Sequence, residues 1–244
     1  MIGVQFFLKG HYKVRAIYYP FTKESDSKTI LVTGESARHL QVVRVRVNEE
    51  ILVLNGEGLT ASTKVGNISK SEIELIVESI ALANPTHEIS LAIAMPKKEA
   101  FEDLLKMAIE LGVRNIYPLS SEFSQYDYVA NDRIERIIES ALIQSNNPFS
   151  PKIHSQINLN AFLEQIEMPL YFFNSKNDQS GKAEKISGAK TVLIGPEGGF
   201  SAGEVSQILK LPNAYSIHLP TPILRAPTAV ASSIGYLLSE GHLT

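Results

Sequence analysis

Val192-Leu193-Ile194-Gly195-Pro196-Glu197-Gly198-Gly199-Phe200-Ser201 decides how this chain is read. An apolar strand-like run stops at a loop holding three glycines and a proline. A helix start follows, with Ser201 placed as N-cap and Glu204 three residues on, the pattern of a capping box. Glycine lets backbone approach a ligand closely, and a helix N-terminus turns free N–H groups outward. The loop lacks the Lys-Ser/Thr ending of a P-loop and does not match G-x-G-x-x-G, so a triphosphate or dinucleotide is disfavoured. Glu197 would also repel phosphates and suits a cationic or hydroxyl-bearing ligand better. The plain alternative is a tight turn that uses glycine for its geometry alone.

Working outward, residues 190–194 read as a strand, 201–211 as a helix, 215–219 as a strand and 228–239 as a final helix. Upstream, 89–95 is a continuous apolar strand. Residues 97–111 form an amphipathic helix ending at Gly112, a C-cap signal. Phe101, Leu104, Leu105, Ala108 and Leu111 keep helical spacing and belong to the core. Strands follow at 113–119 and 170–173, and helices at 132–144 and 161–167, with a polar loop over 174–187. Strands alternating with helices mean an open, mostly parallel sheet covered on both faces. Ligands of such sheets sit beyond the carboxyl ends of the strands. Two loops qualify, 195–200 and 220–227, and they share one edge if their strands are parallel neighbours.

The first eighty residues have another character. Short β-branched or aromatic segments at 13–19, 29–32, 51–54, 60–65 and 72–77 are punctuated by Gly34, Gly56, Gly58 and Gly66, with one short helix at 36–43. Five such strands predict a small barrel. Residues 83–86 read as a linker, giving domains 1–83 and 84–244.

Composition sets the outer bounds. The 244 residues are 44% hydrophobic and 20% charged, ordinary for a soluble globular protein. No stretch is long and apolar enough for a bilayer, and the first residues do not read as a secretory signal, so a cytoplasmic protein is expected. There is no cysteine, and the six histidines are scattered without H-x3-H spacing, so no metal site is expected. Net charge is −3, but residues 1–46 carry eight Lys and Arg against three acids, while 85–244 carry thirteen against seventeen. A basic beginning joined to an acidic remainder fits a local anionic partner; a normal solvated surface is the alternative.

The second loop, Leu219-Pro220-Thr221-Pro222-Ile223-Leu224-Arg225-Ala226-Pro227-Thr228-Ala229, is stiffened by three prolines and carries one arginine. Arg225 reads either as a surface ion pair or as an anion or base contact at a pocket mouth. Tyr126 and Tyr128 read as base-stacking groups or as part of a subunit interface. Lys97-Lys98 opposes the dipole of its helix, so it either has an anionic neighbour or is simply solvated.

Taken together and in order, the 195–200 run, Ile223-Leu224-Arg225-x-x-Thr228-Ala229 and the Pro96-Lys97-Lys98 to Glu110-Leu111-Gly112-Val113 helix resemble the ribosomal RNA small subunit methyltransferase E family. Arg38-His39-Leu40-x-x-Val43-Arg44 and Glu139-x-Ala141-x-x-Gln144-Ser145 resemble further segments of it. The resemblance spans nearly the whole chain. It implies an N-terminal PUA-like β-barrel that holds RNA and a C-terminal α/β SPOUT domain whose end threads a trefoil knot, a rare exception to unthreaded topology. It also implies a homodimer that transfers methyl from S-adenosylmethionine to N3 of a uridine in 16S rRNA of the small ribosomal subunit.

On this resemblance Leu193, Gly195, Pro196, Glu197, Gly199, Leu219, Ile223, Leu224, Thr228 and Ala229 would bind the cofactor. Arg225 would be catalytic, and Arg38, His39, Arg44 and Arg46 would contact RNA. His39 alone also reads as a packed or surface residue. The chain departs from the family pattern at Asn146 and Asn147, where an arginine is usual, at Pro227, where a glutamate is usual, and at Pro220 and Pro222, where Gly and Arg are usual. The sequence reading places these changes together at the active edge. They leave open a catalytically impaired RNA-binding protein on the same scaffold. A small-molecule enzyme using the glycine loop for another nucleotide is a remoter reading.

Overall fold

The computed structural model describes residues 14–24, 28–173 and 188–240. The chain divides into two compact units between Ala83 and Asn84. The predicted 174–187 loop and the outset of the first predicted strand, Lys13, lie outside the described residues.

In the first unit, β1 (Arg15–Tyr18), β2 (Thr29–Thr33), α1 (Gly34–Val42), β3 (Glu50–Leu54), β4 (Leu59–Ile68) and β5 (Glu72–Leu82) follow one another. Their sheet order is β1-β3-β4-β5-β2, antiparallel except for the parallel β1–β3 pair. Tyr19 Oη, just past β1, donates to Leu31 O in β2 at 2.9 Å. The two outermost strands are therefore brought together, and the sheet curls into the expected barrel-like form. Strands β4 and β5 run further than expected because two register irregularities, at Ser62/Thr63 and Val65/Asn67, let the pair bend without breaking. Alternate residues such as Ile30, Val32, Val53, Val65, Ile73 and Leu75 fill the inside, and Ala37 and Leu40 of α1 close it.

In the second unit the order is β6 (Ile89–Ala94), α2 (Lys98–Glu110), β7 (Asn115–Ser120), α3 (Asp132–Ser145), β8 (Lys152–Ile153), β9 (Ile157–Asn158), α4 (Leu159–Gln165), β10 (Leu170–Phe173), β11 (Lys190–Ile194), α5 (Ala202–Leu209), β12 (Ala214–Ile217) and α6 (Ala226–Glu240). The sheet runs β12-β10-β11-β6-β7-β8, with β9 also on β7, and every pairing is parallel. Strand β6 lies at the centre with all six residues buried, as a sheet covered on both faces requires. On one face Ala92, Leu119, Leu170 and Leu193 pack with Leu159 and Phe162 of α4 and Ile208 of α5. Helices α2 and α6 pack on each other, and α6 on β11.

The final helix begins at Ala226, two residues before the expected start, although Pro227 is its second residue. A first-turn N–H has no helical partner, so proline costs nothing there. Two two-residue strands, β8 and β9, are too short to leave a periodic signal in the sequence.

Candidate functional site

Both suspected loops leave the carboxyl edge of the second unit's sheet, but their strands are not neighbours. Strand β10 stands between β11 and β12 and pairs parallel with each, Phe172 facing Leu193 on one side and Ser216 on the other. The loop starts are thus two strand spacings apart, about 10 Å.

The first loop is a fixed turn. Gly199 N–H donates to Pro196 O at 2.8 Å, and Gly199 has φ +72°, which favours glycine. A Cβ on Gly195 would stand 3.2 Å from the Phe200 ring and 3.3 Å from the Gly199 carbonyl carbon, so Gly195 allows the turn to close on itself. Phe200 is anchored on Phe172, ring centroids 5.7 Å apart. The expected capping box is present: Ser201 Oγ accepts Glu204 N–H at 3.3 Å, and Glu204 Oε2 accepts Ser201 N–H at 2.9 Å. The other Glu204 oxygen accepts Glu122 N–H at 2.8 Å, tying the segment after β7 to the loop's far end.

Glu197 is exposed and reaches across to α2, where its Oε1 accepts Lys97 N–H at 3.2 Å. The carboxylate meets the backbone N–H of Lys97, where the helix dipole favours it, while the Lys97 and Lys98 side chains are exposed, as a solvated pair would be.

In the second loop Leu219 and Leu224 are half-buried, while Pro220, Pro222, Ile223 and Arg225 are exposed. Arg225 O accepts Ala229 N–H at 2.8 Å, so Arg225 is the residue from which α6 starts. Arg225 therefore precedes the positive end of a fifteen-residue helix, whose first turns include Thr228, which is exposed, and Ala229, which is half-buried. Leu193 and Pro196 are buried beneath the first loop. A polar cavity of about 320 Å³ opens beside α5 between Glu122, Asn158, Asn160, Ser201 and Gln207. No residue of the second loop lines it, so it is distinct from the space between the loops.

The two asparagines do not lie at this edge. Asn146 takes φ +53° and ends α3, and Asn147 N–H donates to Leu142 O at 3.1 Å, so the pair forms a helix stop. Asn147 Nδ2 also donates to the Ile109 carbonyl near the end of α2, at 2.9 Å. Both helices end where β7 and β8 begin, on the amino edge. The departure at these positions is therefore separate from those at Pro220, Pro222 and Pro227.

In the first unit Arg38, His39, Arg44 and Arg46 are all exposed. Arg44 carries φ +53° just past the end of α1. Arg44 N–H donates to Gln41 O at 2.9 Å and Val45 N–H to Leu40 O at 3.0 Å, a Schellman motif with arginine where glycine is usual. The turn is braced by Arg15, which donates to Val43 O at 2.8 Å and pairs with Glu49 at 2.8 Å. An arginine held in a left-handed conformation costs on the order of 1 kcal/mol, and such strain concentrates at functional positions.

Sequence reasoning did not single out Phe123. A Cβ on Gly198 would stand 3.3 Å from Phe123 Cβ, so Phe123 lies against the glycine loop while staying 44% exposed. The available signal was an aromatic three residues beyond the carboxyl end of a buried strand. Among the described residues no cluster of three His, Asp or Glu stands together as metal ligands, and no helix is long and apolar enough to cross a membrane.

The curled sheet joined to a parallel α/β sheet, with a glycine turn on its carboxyl edge, defines a class. The family described as RNA methyltransferase domain matches residues 83–238, and an RNA methyltransferase PUA domain matches residues 32–78. The chain belongs to these RNA methyltransferases and, within them, to the ribosomal RNA small subunit methyltransferase E family. The protein of that name from Mesomycoplasma hyopneumoniae is 30% identical over 87% of this chain and 95% of its own. The one from Aquifex aeolicus is 29% identical over 90% of this chain and 98% of its own. The crystal structure of a ribosomal RNA small subunit methyltransferase E from Neisseria gonorrhoeae bound to S-adenosyl methionine matches with TM-score 0.82 at 23% identity. It covers 93% of this chain and 98% of that one.

Proposed function

We propose that this protein transfers a methyl group from S-adenosylmethionine to N3 of a uridine in 16S rRNA of the small ribosomal subunit. The observation that carries the reading is the pair of loops on one carboxyl edge, the first a closed glycine turn, the second leading into α6 through Arg225.

The residues fit the cofactor. A Cβ on Gly199 would meet nothing within 4 Å, so open space adjoins the turn's backbone there. The first loop has no Lys or Arg to hold phosphate, as suits a nucleoside without one. Leu193, Gly195, Pro196, Glu197 and Gly199 would hold it from one side, and Leu219, Ile223, Leu224, Thr228 and Ala229 from the other. When bound, the cofactor supplies an electrophilic methyl group.

The chain's own part is placement and charge. Uracil N3 must lose its proton, and the anion so formed spreads over the ring oxygens. Arg225 and the positive end of α6 stabilise that developing charge, which favours loss of the N3 proton. The two loops would hold the acceptor base against the cofactor's methyl group, and such positioning supplies much of the acceleration. Arg38, Arg44 and Arg46 hold phosphates, with His39 beside them; phosphate contacts position RNA without reading sequence.

Further features accompany this activity. The trefoil knot is supported by the path of α6, which leaves the edge strand β12 yet packs on β11 and α2. A homodimer is supported by Ile223, 87% exposed, and Val129, 68% exposed, on loops of the carboxyl edge. A cytoplasmic location is supported by the proposed rRNA substrate, and the domain boundary at 83/84 by the division of the chain into two units. The test is calorimetry with S-adenosylhomocysteine together with transfer of labelled methyl to small-subunit rRNA. Cofactor binding without transfer would overturn the activity and leave the fold standing, whereas salt-dependent RNA binding with no cofactor affinity would support the impaired RNA-binding alternative.

A further inference from the structure

The segment between β7 and α3 has no regular structure but is clamped along its length. Glu122 N–H is held by Glu204, as above, and Ser121 N–H donates to Ser124 Oγ at 3.1 Å, closing a turn around Phe123. Gln156 accepts Tyr128 N–H and donates to Asp127 Oδ1 at 3.0 Å. Tyr128 packs on Phe101, centroids 5.6 Å apart, and burial raises its phenol pKa, so it is a structural residue. Phe123 and Tyr126 are the rings the clamped segment presents, 44% and 43% exposed, with Val129 exposed further along it.

A phenylalanine left nearly half exposed forfeits about 1 kcal/mol of burial. This one is fixed from both sides and lies on Gly198 of the glycine loop. Even with Val129 added, the two rings expose far less than the roughly 800 Å² per partner of a stable protein interface. An unpaired base has a face of matching size, and stacking it on an aromatic is worth about 1–3 kcal/mol. Residues 115–132 contain no Lys or Arg, whereas Glu122, Asp127 and Asp132 are acidic. This surface therefore repels phosphates and suits a base splayed out of its strand.

We propose that Phe123 is a stacking platform for an unpaired base of the substrate RNA, a specificity-determining residue beside the cofactor loop, with Tyr126 extending it. The proposal rests on the methyltransferase reading above.

The test uses the full chain, small-subunit rRNA and two variants. Phe123→Leu keeps the apolar contact with Gly198 but cannot stack; Phe123→Tyr can. The expected result is a KM for RNA raised about tenfold in Phe123→Leu, within the range set by stacking energies. Phe123→Tyr stays near wild type, and affinity for S-adenosylhomocysteine changes less than twofold in both. An unchanged KM in Phe123→Leu overturns the proposal, as does an equal loss in Phe123→Tyr. So does a shift from dimer to monomer in Phe123→Leu by sedimentation, which would assign the ring to a subunit interface. RNA affinity by filter binding is measured alongside. If the wild-type protein transfers no methyl, the proposed function fails, while weaker RNA retention by Phe123→Leu alone still upholds the platform.

Discussion

Glu197 and Lys97, one hundred positions apart in the chain, are joined by a carboxylate-to-backbone hydrogen bond of 3.2 Å. The glycine loop is thereby fastened to the start of α2, and the helix gains an acceptor for a free N–H at its positive end.

Replacing Glu197 separates these two effects. Glu197→Ala removes the acceptor, with an expected stability loss of about 0.5–1 kcal/mol, in the range of a lost cap. Loosening the loop is expected to weaken S-adenosylhomocysteine binding severalfold by calorimetry. Glu197→Gln keeps an acceptor oxygen and is expected to lie between Glu197→Ala and wild type in both measurements.

Arg44 offers a trade of stability against binding. Glycine accepts φ +53° without strain, so Arg44→Gly is expected to raise stability by up to about 1 kcal/mol in chemical denaturation. It is expected to weaken RNA binding and to lower the salt slope by about 0.7, one phosphate contact on a single strand. A stability gain with an unchanged salt slope would show that the arginine serves only the turn.

Arg225 is exposed and begins α6, so its removal leaves the fold intact. Arg225→Ala is expected to lower kcat about a hundredfold, the scale of a lost charge-stabilising donor. Thermal stability and affinity for the cofactor product should stay near wild type. Arg225→Lys keeps charge without the planar fork and is expected to recover part of the rate.

Two imidazoles make stability depend on pH. His87 donates from Nε2 to Leu111 O at 3.0 Å, and His154 meets Asn115 Oδ1 at 3.1 Å and stacks on Tyr117 at 4.2 Å. Burial holds both below their ordinary 6.5, with neighbouring Lys190 and Arg114 adding to the effect at His87 and Lys152 at His154. The unfolded chain thus binds more protons near and below that value. Stability is full above about pH 6.5 and falls as pH drops toward the folded values. Melting temperature is expected to decline between pH 7.5 and 5.5, less steeply in His154→Gln.

Much of this was legible in the sequence, for reasons local to the residues concerned. Ser201 and Glu204 announce a capping box at fixed spacing, and the alternation in 72–77 or the apolar run in 89–95 reports burial directly. Strand order was not legible, because β10 enters between β11 and β12 through contacts that no local pattern encodes. The Glu197–Lys97 bond is equally non-local. Lys97-Lys98 at a helix start reads equally as a solvated pair, so the sequence does not announce the carboxylate that caps the Lys97 N–H. Arg44 escaped because a helix stop is sought at glycine, and Asn146 because it was read as a departure from a family arginine and not as a helix end. Tyr126 and Tyr128 looked equivalent, and only packing against Phe101 separates them.

The methylated nucleoside decides the activity. Small-subunit rRNA incubated with the protein and isotopically labelled S-adenosylmethionine, then digested to nucleosides and resolved by mass spectrometry, should yield label in N3-methyluridine at one position of 16S rRNA. Label on a ribose or on another base atom, or no label with a protein that binds the cofactor, would contradict it.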